Sequence, residues 1–181
     1  MDNQTSVMFC GFGGQGIVMA GMILGQAGVF DGLNVAQAAS YGSEARGSAC
    51  RSEVVLSNEP IIYPHVSKVD VIGAMSQAGY DKFHSHLKDD SCFLMYDESM
   101  VEPDKSRLFS QTGFPVTDAA IKKLDKKITA NIIFLAAMVE KLSIVSKASL
   151  EKSIRKNVPA KFLELNLKAM EIGLKMGADQ V

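Results

Sequence analysis

The chain has 181 residues, of which 47% are apolar and 22% charged, and a formal net charge of −1. That length and balance fit a single globular α/β domain spanning residues 1–181 with a core of its own. A near-neutral chain gives no electrostatic reason to expect a nucleic-acid or membrane-surface partner, and no stretch is long and apolar enough to cross a bilayer. The charge is uneven: residues 1–90 carry 5 basic and 9 acidic side chains, residues 91–181 carry 14 and 11. The basic excess falls mainly on predicted helices, as at Lys122, Lys123, Lys126 and Lys127, and reads as solvated helix face. Cys10, Cys50 and Cys92 are far apart and form no CxxC, so no iron–sulfur or zinc cradle is expected. Their odd number and apolar settings suit buried thiols in a reducing compartment, and the expected location is cytoplasmic.

Residues 7–12 form a short apolar run that stops in glycines, as a buried strand does. Residues 15–30 follow as a helix, with Gly21, Gly25 and Gly28 on one face. Three glycines there imply a close neighbour, either the sheet of this chain or another subunit. Residues 34–39 are a second strand, and residues 50–57 alternate as a half-exposed one. Residues 61–63, between Pro60 and Pro64, should be extended and at an edge. Residues 69–75 are a covered strand, and Ser76 caps a helix over about 78–87. A turn at 89–91 leads to a buried strand at 92–96. Residues 114–116 are a short strand, with Thr117 capping a short helix.

From residue 129 the pattern is helical: 130–142 strongly apolar, then a helix from Ser146 or Ser149 to Asn157. The last helix covers 161–176 and ends at Gly177. Strands alternating with helices predict a three-layer α/β/α domain. Its sheet should be mostly parallel, with a Rossmann-like first strand-turn-helix and a helical C-terminal part.

Gly11-Phe12-Gly13-Gly14-Gln15-Gly16 matches G-x-G-x-x-G between a strand and a helix. Such a turn allows close approach of a ligand or a neighbouring chain to the helix N-terminus. A dinucleotide fold also needs an acidic residue about 20 positions on, to hold the ribose. The second strand, residues 34–39, contains no carboxylate, which argues against NAD. An unliganded tight turn and a contact with an anion or a partner both remain open. Ser40, Tyr41, Gly42, Glu44, Arg46, Gly47 and Arg51 form a second cluster beside a strand end. Arg46 and Arg51 could fork onto a phosphate or carboxylate, or simply pair with Glu44 in an exposed loop. His65, His84 and His86 do not gather near either cluster.

The two motifs together, residues 11–16 and 40–51, resemble the paired signature of the gamma subunit of 2-oxoacid:ferredoxin oxidoreductases. The segment 69–77 and Asn131, opening the apolar helix, extend the resemblance over nearly the whole chain. Ser43 departs from it, standing where proline is expected. The resemblance implies a multi-subunit enzyme that converts a 2-oxoacid and coenzyme A to acyl-CoA and carbon dioxide, passing electrons to ferredoxin or a similar acceptor. Pyruvate, 2-oxoglutarate, branched-chain 2-oxoacids and indolepyruvate are the family's substrates, and the wording of the motifs leans toward 2-oxoglutarate.

Thiamine diphosphate and iron–sulfur clusters would supply the redox chemistry. This chain has no G-D-G…N motif beyond the fragment Asp31-Gly32 and no cysteine cluster, so these groups are expected on partner subunits. The implied partners are the alpha and beta subunits and a ferredoxin-like subunit. The implied role is a scaffold that helps form the coenzyme A or substrate entrance, with no catalytic residue and no metal of its own. Candidate binding or interface residues are Gly11, Gly13, Gly14, Gln15, Gly16, Ser40, Tyr41, Gly42, Glu44, Arg46, Gly47, Arg51 and Asn131. The competing reading is a regulatory module that holds a nucleotide at the glycine turn without redox chemistry.

Overall fold

A computed structural model of the chain describes residues 4–40, 49–63, 67–89, 91–107 and 109–179. Its six strands are β1 (Gln4–Phe12), β2 (Asn34–Ser40), β3 (Ala49–Ser57), β4 (Val71–Ala74), β5 (Phe93–Asp97) and β6 (Ser110–Phe114). Its six helices are α1 (Ile17–Phe30), α2 (Gln77–Phe83), α3 (Val116–Leu124), α4 (Ala130–Leu142), α5 (Lys147–Asn157) and α6 (Ala160–Ala178).

The strands form one sheet in the order β2-β3-β1-β4-β5-β6. β1, β4, β5 and β6 run parallel, while β3 is antiparallel to both β1 and β2. Five strands therefore point the same way. α2 forms the crossover between the parallel neighbours β4 and β5, whereas β5 and β6 are joined by turns and extended chain, with no helix among the described residues. β2 and β3 pair residue for residue from Asn34↔Ser57 to Ser40↔Arg51.

Alternation along the strands sorts the core into two layers. Val7, Phe9, Val54, Leu56, Val71 and Met95 face α1, α4 and the C-terminal helices. Met8, Cys10, Ile72, Ala74 and Leu94 face α2, with Tyr80 and Phe83. The expected three layers are present, unequally filled. α4 is apolar all round because it lies between the sheet and α6: Ile132 through Val139 are all essentially solvent-free.

Several boundaries differ from the sequence reading, each for a local reason. The first helix starts at Ile17, because Gly14 and Gly16 hold positive φ angles of 89° and 77°. Residues 61–63 form no strand, and Ile62 and Tyr63 are 81% and 80% exposed. The last strand lies at Ser110–Phe114, not at 114–116, and Thr117 is inside α3. Its hydroxyl donates to the buried carboxylate of Asp97 at the end of β5, so it ties strand to helix instead of capping. Gly177 does not end α6: a Cβ there would stand 2.5 Å from the Ala137 carbonyl oxygen, so the glycine lets α6 pack closely on α4. Ser76 and Ser146 do cap α2 and α5, accepting from Gly79 N and Ser149 N at 3.1 Å. No helix is long and apolar enough to cross a membrane among the described residues.

Candidate functional site

The sheet order reverses between β1 and β4, so the turns leaving their carboxyl ends flank a crevice, the usual place for a ligand in an open α/β sheet. The Gly11–Gly16 turn forms one wall. Gln15 fills the crevice itself. Its Oε1 accepts the Phe12 N–H at 2.6 Å, and its Nε2 donates to the Met75 carbonyl at 2.8 Å. A nucleotide fold leaves such turn amides free for a pyrophosphate. Here one is already used by the protein, which gives a structural reason to disfavour the NAD reading.

Gly13 and Gly14 are exposed, and a Cβ at either would meet nothing within 4 Å. Gly16 is enclosed, with the Asn131 amide against its Cα; Asn131 Nδ2 donates to the Gly16 carbonyl at 3.2 Å. Asn131 Oδ1 accepts from Ile132 N at 2.9 Å, so this buried side chain locks the start of α1 to the start of α4.

An open cleft of about 800 Å³ lies beside the turn, between the first turn of α1 and the start of α6. Its floor is the glycine turn with Ile17 and Cys50, and its far wall carries Ile128 and Phe162, 60% and 46% exposed. Lys126 and Lys161 stand among its lining residues. α1 has no capping side chain and no acidic residue in its first turn, so its free amides add positive potential at the cleft. The cleft thus offers apolar walls, an exposed glycine turn and a cationic margin, which suits a long ligand with an uncharged arm and an anionic end.

Burial pushes the Cys50 thiol above its ordinary pKa, and burial together with Cys50 does the same to Cys10. Both thiols are protonated near neutrality and behave as core residues. Among the described residues no group of three or more His, Cys, Asp or Glu could hold a metal. His84 Nδ1 lies 3.0 Å from the Tyr80 carbonyl, and His86 packs edge-on against Phe83, both on the α2 side.

The structure brings Gly11, Gly13, Gly14, Gln15, Gly16 and Asn131 into one assembly. Tyr41, Gly42, Glu44, Arg46 and Gly47 lie outside the described residues. Ser40 is exposed at the end of β2. Arg51 points to the opposite face of the sheet from Cys50. Its Nε is 3.1 Å from Glu53 Oε1, and its guanidinium lies 5.5 Å over the Phe83 ring. Sequence reasoning missed the far wall of the cleft. Lys126 is not on a helix face but in the bend between α3 and the 3-10 turn Lys127–Thr129, where it reaches the cleft. No local pattern marks Ile128 or Phe162, which are more than 100 residues from the glycine turn.

Comparison with known proteins places this chain and its fold in a family context. The model of the pyruvate ferredoxin/flavodoxin oxidoreductase family matches residues 6–176. The 2-oxoglutarate synthase subunit KorC of Methanocaldococcus jannaschii is 41% identical over 97% of this chain and 95% of its own length. Among solved structures, the keto/oxoacid ferredoxin oxidoreductase gamma subunit from Geobacter sulfurreducens is 34% identical, with a TM-score of 0.83 over 97% of this chain and 99% of that one. The 2-oxoglutarate:ferredoxin oxidoreductase from Magnetococcus marinus, solved with 2-oxoglutarate, coenzyme A and succinyl-CoA bound, shares the fold. It has a TM-score of 0.88 and 21% identity over 99% of this chain and 32% of that one. With a family match across nearly its whole length and close relatives of the same size, this chain belongs to the pyruvate ferredoxin/flavodoxin oxidoreductase family.

Proposed function

We propose that this chain is the gamma-type subunit of a 2-oxoacid:ferredoxin oxidoreductase that acts on 2-oxoglutarate, with the glycine-lipped cleft contributing to the entrance for coenzyme A. The observation that carries the proposal is the pairing of this open, apolar, lysine-edged cleft with close similarity to a 2-oxoglutarate synthase subunit over nearly the full length. Coenzyme A joins an uncharged pantetheine arm to an anionic phosphorylated adenosine head, the two chemistries the cleft provides. Thiamine diphosphate and the iron–sulfur clusters belong on the partner alpha, beta and ferredoxin-like subunits. This chain's own work is to bind, to orient and to shape the entrance. β2 ends at Ser40 and β3 begins at Ala49, opposite Phe12 at the same end of the sheet as the glycine turn, and Arg46 is the candidate anchor for an anionic group.

The test is reconstitution with co-expressed alpha and beta chains. The isolated chain should reduce no acceptor, and the complex should oxidise 2-oxoglutarate in preference to pyruvate. In that complex, Lys161→Glu and Arg46→Ala should each raise the KM for coenzyme A several-fold while leaving the KM for the 2-oxoacid unchanged. Turnover by the chain alone would overturn the subunit role. An unchanged coenzyme A KM in both variants would overturn the entrance role.

A further inference from the structure

The β2 edge of the molecule is unfinished in both of its layers. Among the described residues β2 pairs only with β3, and none of them pairs with the other side of Asn34–Ser40. Exposed edge strands usually carry lysine, proline or a bulge that blocks further pairing. β2 contains no charged residue and no proline. Residues 3–43 as a whole hold one charged side chain, Asp31, and its carboxylate is engaged by Ser146 and Ser149.

Above this edge lies α1, astride β2 and β3. A Cβ on Gly25 would touch Val35 of β2 at 3.2 Å and Val54 of β3 at 3.8 Å. One flank of α1 meets α5, where Ser153 Oγ donates to the Ile23 carbonyl. The opposite flank overhangs the free edge. It carries Val18, Met22 and Val29, with Met22 and Val29 38% and 52% exposed. Gln37 Nε2 reaches the Val18 carbonyl at 3.4 Å, which fixes this flank next to β2.

We infer that this edge pairs with a second copy of the same chain, β2 antiparallel to β2, to give a continuous twelve-stranded sheet with the two α1 helices packed together on one face. The spacing supports this occupant over a lone added strand. Strands lie about 4.8 Å apart, so an α1 centred between β2 and β3 sits roughly 5 Å from a two-fold axis placed outside β2. Two such helices are then about 10 Å apart, within the range at which helices pack. A lone seventh strand would satisfy the edge but leave Met22 and Val29 uncovered. A second copy completes both layers at once. In such an isologous contact every charge near the axis faces its own copy, so an uncharged surface is what self-pairing requires. This inference rests on the edge geometry and not on the proposed coenzyme A entrance.

The test is the mass of the full chain in solution. A contact confined to β2 and one flank of α1 is below the size of a standard interface, so dissociation in the micromolar range is expected. Sedimentation should show a species of twice 19.5 kDa at high concentration. Met22 follows Gly21, whose added Cβ would stand 3.2 Å from Gln37 Nε2 at the middle of β2, so it lies close to the axis. Met22→Lys and Met22→Glu should each be folded monomers, and mixing them should restore the dimer. Hydrogen exchange at the outward-facing β2 amides, those not bonded to β3, should be slow in the dimer and fast in the single variants. A wild-type chain that stays monomeric up to about 100 µM would overturn the inference, since that is far above the expected dissociation range. So would a dimer that survives Met22→Lys, or β2 protection that appears only when a different subunit binds.

Discussion

Gln15 Nε2 donates to the Met75 carbonyl oxygen at 2.8 Å, bridging the turn after β1 to the turn after β4. The same amide accepts from Phe12 N at 2.6 Å, so one side chain both shapes the glycine turn and closes the crevice at the strand ends. Gln15→Ala should therefore destabilise the chain by about 1–3 kcal/mol, by leaving a turn amide and a carbonyl without their partner. Gln15→Glu should recover little, because a carboxylate can replace the acceptor but not the donor to Met75. Thermal or urea denaturation of the three proteins checks this, and equal stability would show the bridge to be dispensable.

The glycines of the turn should separate sharply on substitution. Gly16→Ala places a Cβ against Asn131 and asks alanine to hold φ near 77°. Such strain costs about 1–3 kcal/mol. Gly13→Ala meets open space and should leave stability almost unchanged. Melting temperatures of the two variants measure the difference, and in the assembled enzyme Gly13→Ala then reports on the cleft without a folding artefact.

Arg51 offers a test between support and ligand anchoring. Glu53 is only 5% exposed, and Arg51 is its ion-pair partner at 3.1 Å. Arg51→Ala should destabilise the isolated chain by about 1–3 kcal/mol, the cost of an under-satisfied buried polar group, lessened here because Arg51 itself is partly exposed. Adding Glu53→Gln should return part of that loss. An Arg51→Ala chain as stable as the parent would instead leave the guanidinium available for a role in the assembled enzyme.

Stability should fall in acid with a sign set by two carboxylates. Burial pushes the Asp70 carboxyl up, but hydrogen bonds from Lys88 and Ser6 and the Lys88 charge outweigh it and hold it below its ordinary value. Burial is likewise outweighed at Asp31 by hydrogen bonds from Ser149 and Ser146. The unfolded chain then binds more protons than the folded one between the two values. The stabilisation is complete above the unfolded value of about 3.9 and is lost as pH falls through the lower folded value. Urea midpoints measured from pH 5 to 2 should drop for the parent and drop less steeply for Asp70→Asn.

Much of the fold was legible in the sequence because it rests on local periodicity. The buried strand before the glycines, the Ser76 and Ser146 caps and the apolar α4 are each signalled within a dozen residues. The errors fell where tertiary contact overrode local pattern. Gly177 reads as a helix stop, yet it continues α6 because α4 needs the space. Thr117 reads as a cap, yet its hydroxyl is taken by Asp97 from a neighbouring strand. Residues 61–63 read as extended and at an edge, yet they join no strand of the sheet and leave Ile62 and Tyr63 exposed.

The sequence by itself determined the family signature, the absence of a ribose-binding acid after the glycine turn and the lack of any cysteine cluster, since these depend only on residue type and spacing. Only the tertiary structure decided that Gln15 occupies the crevice, that Arg51 turns away from the cleft toward Glu53, and that Lys126, Ile128 and Phe162 form the cleft's far side. Those facts depend on which face of a strand a side chain leaves and on which distant segment packs there. Such relationships arise only when the sheet closes and the C-terminal helices settle on it.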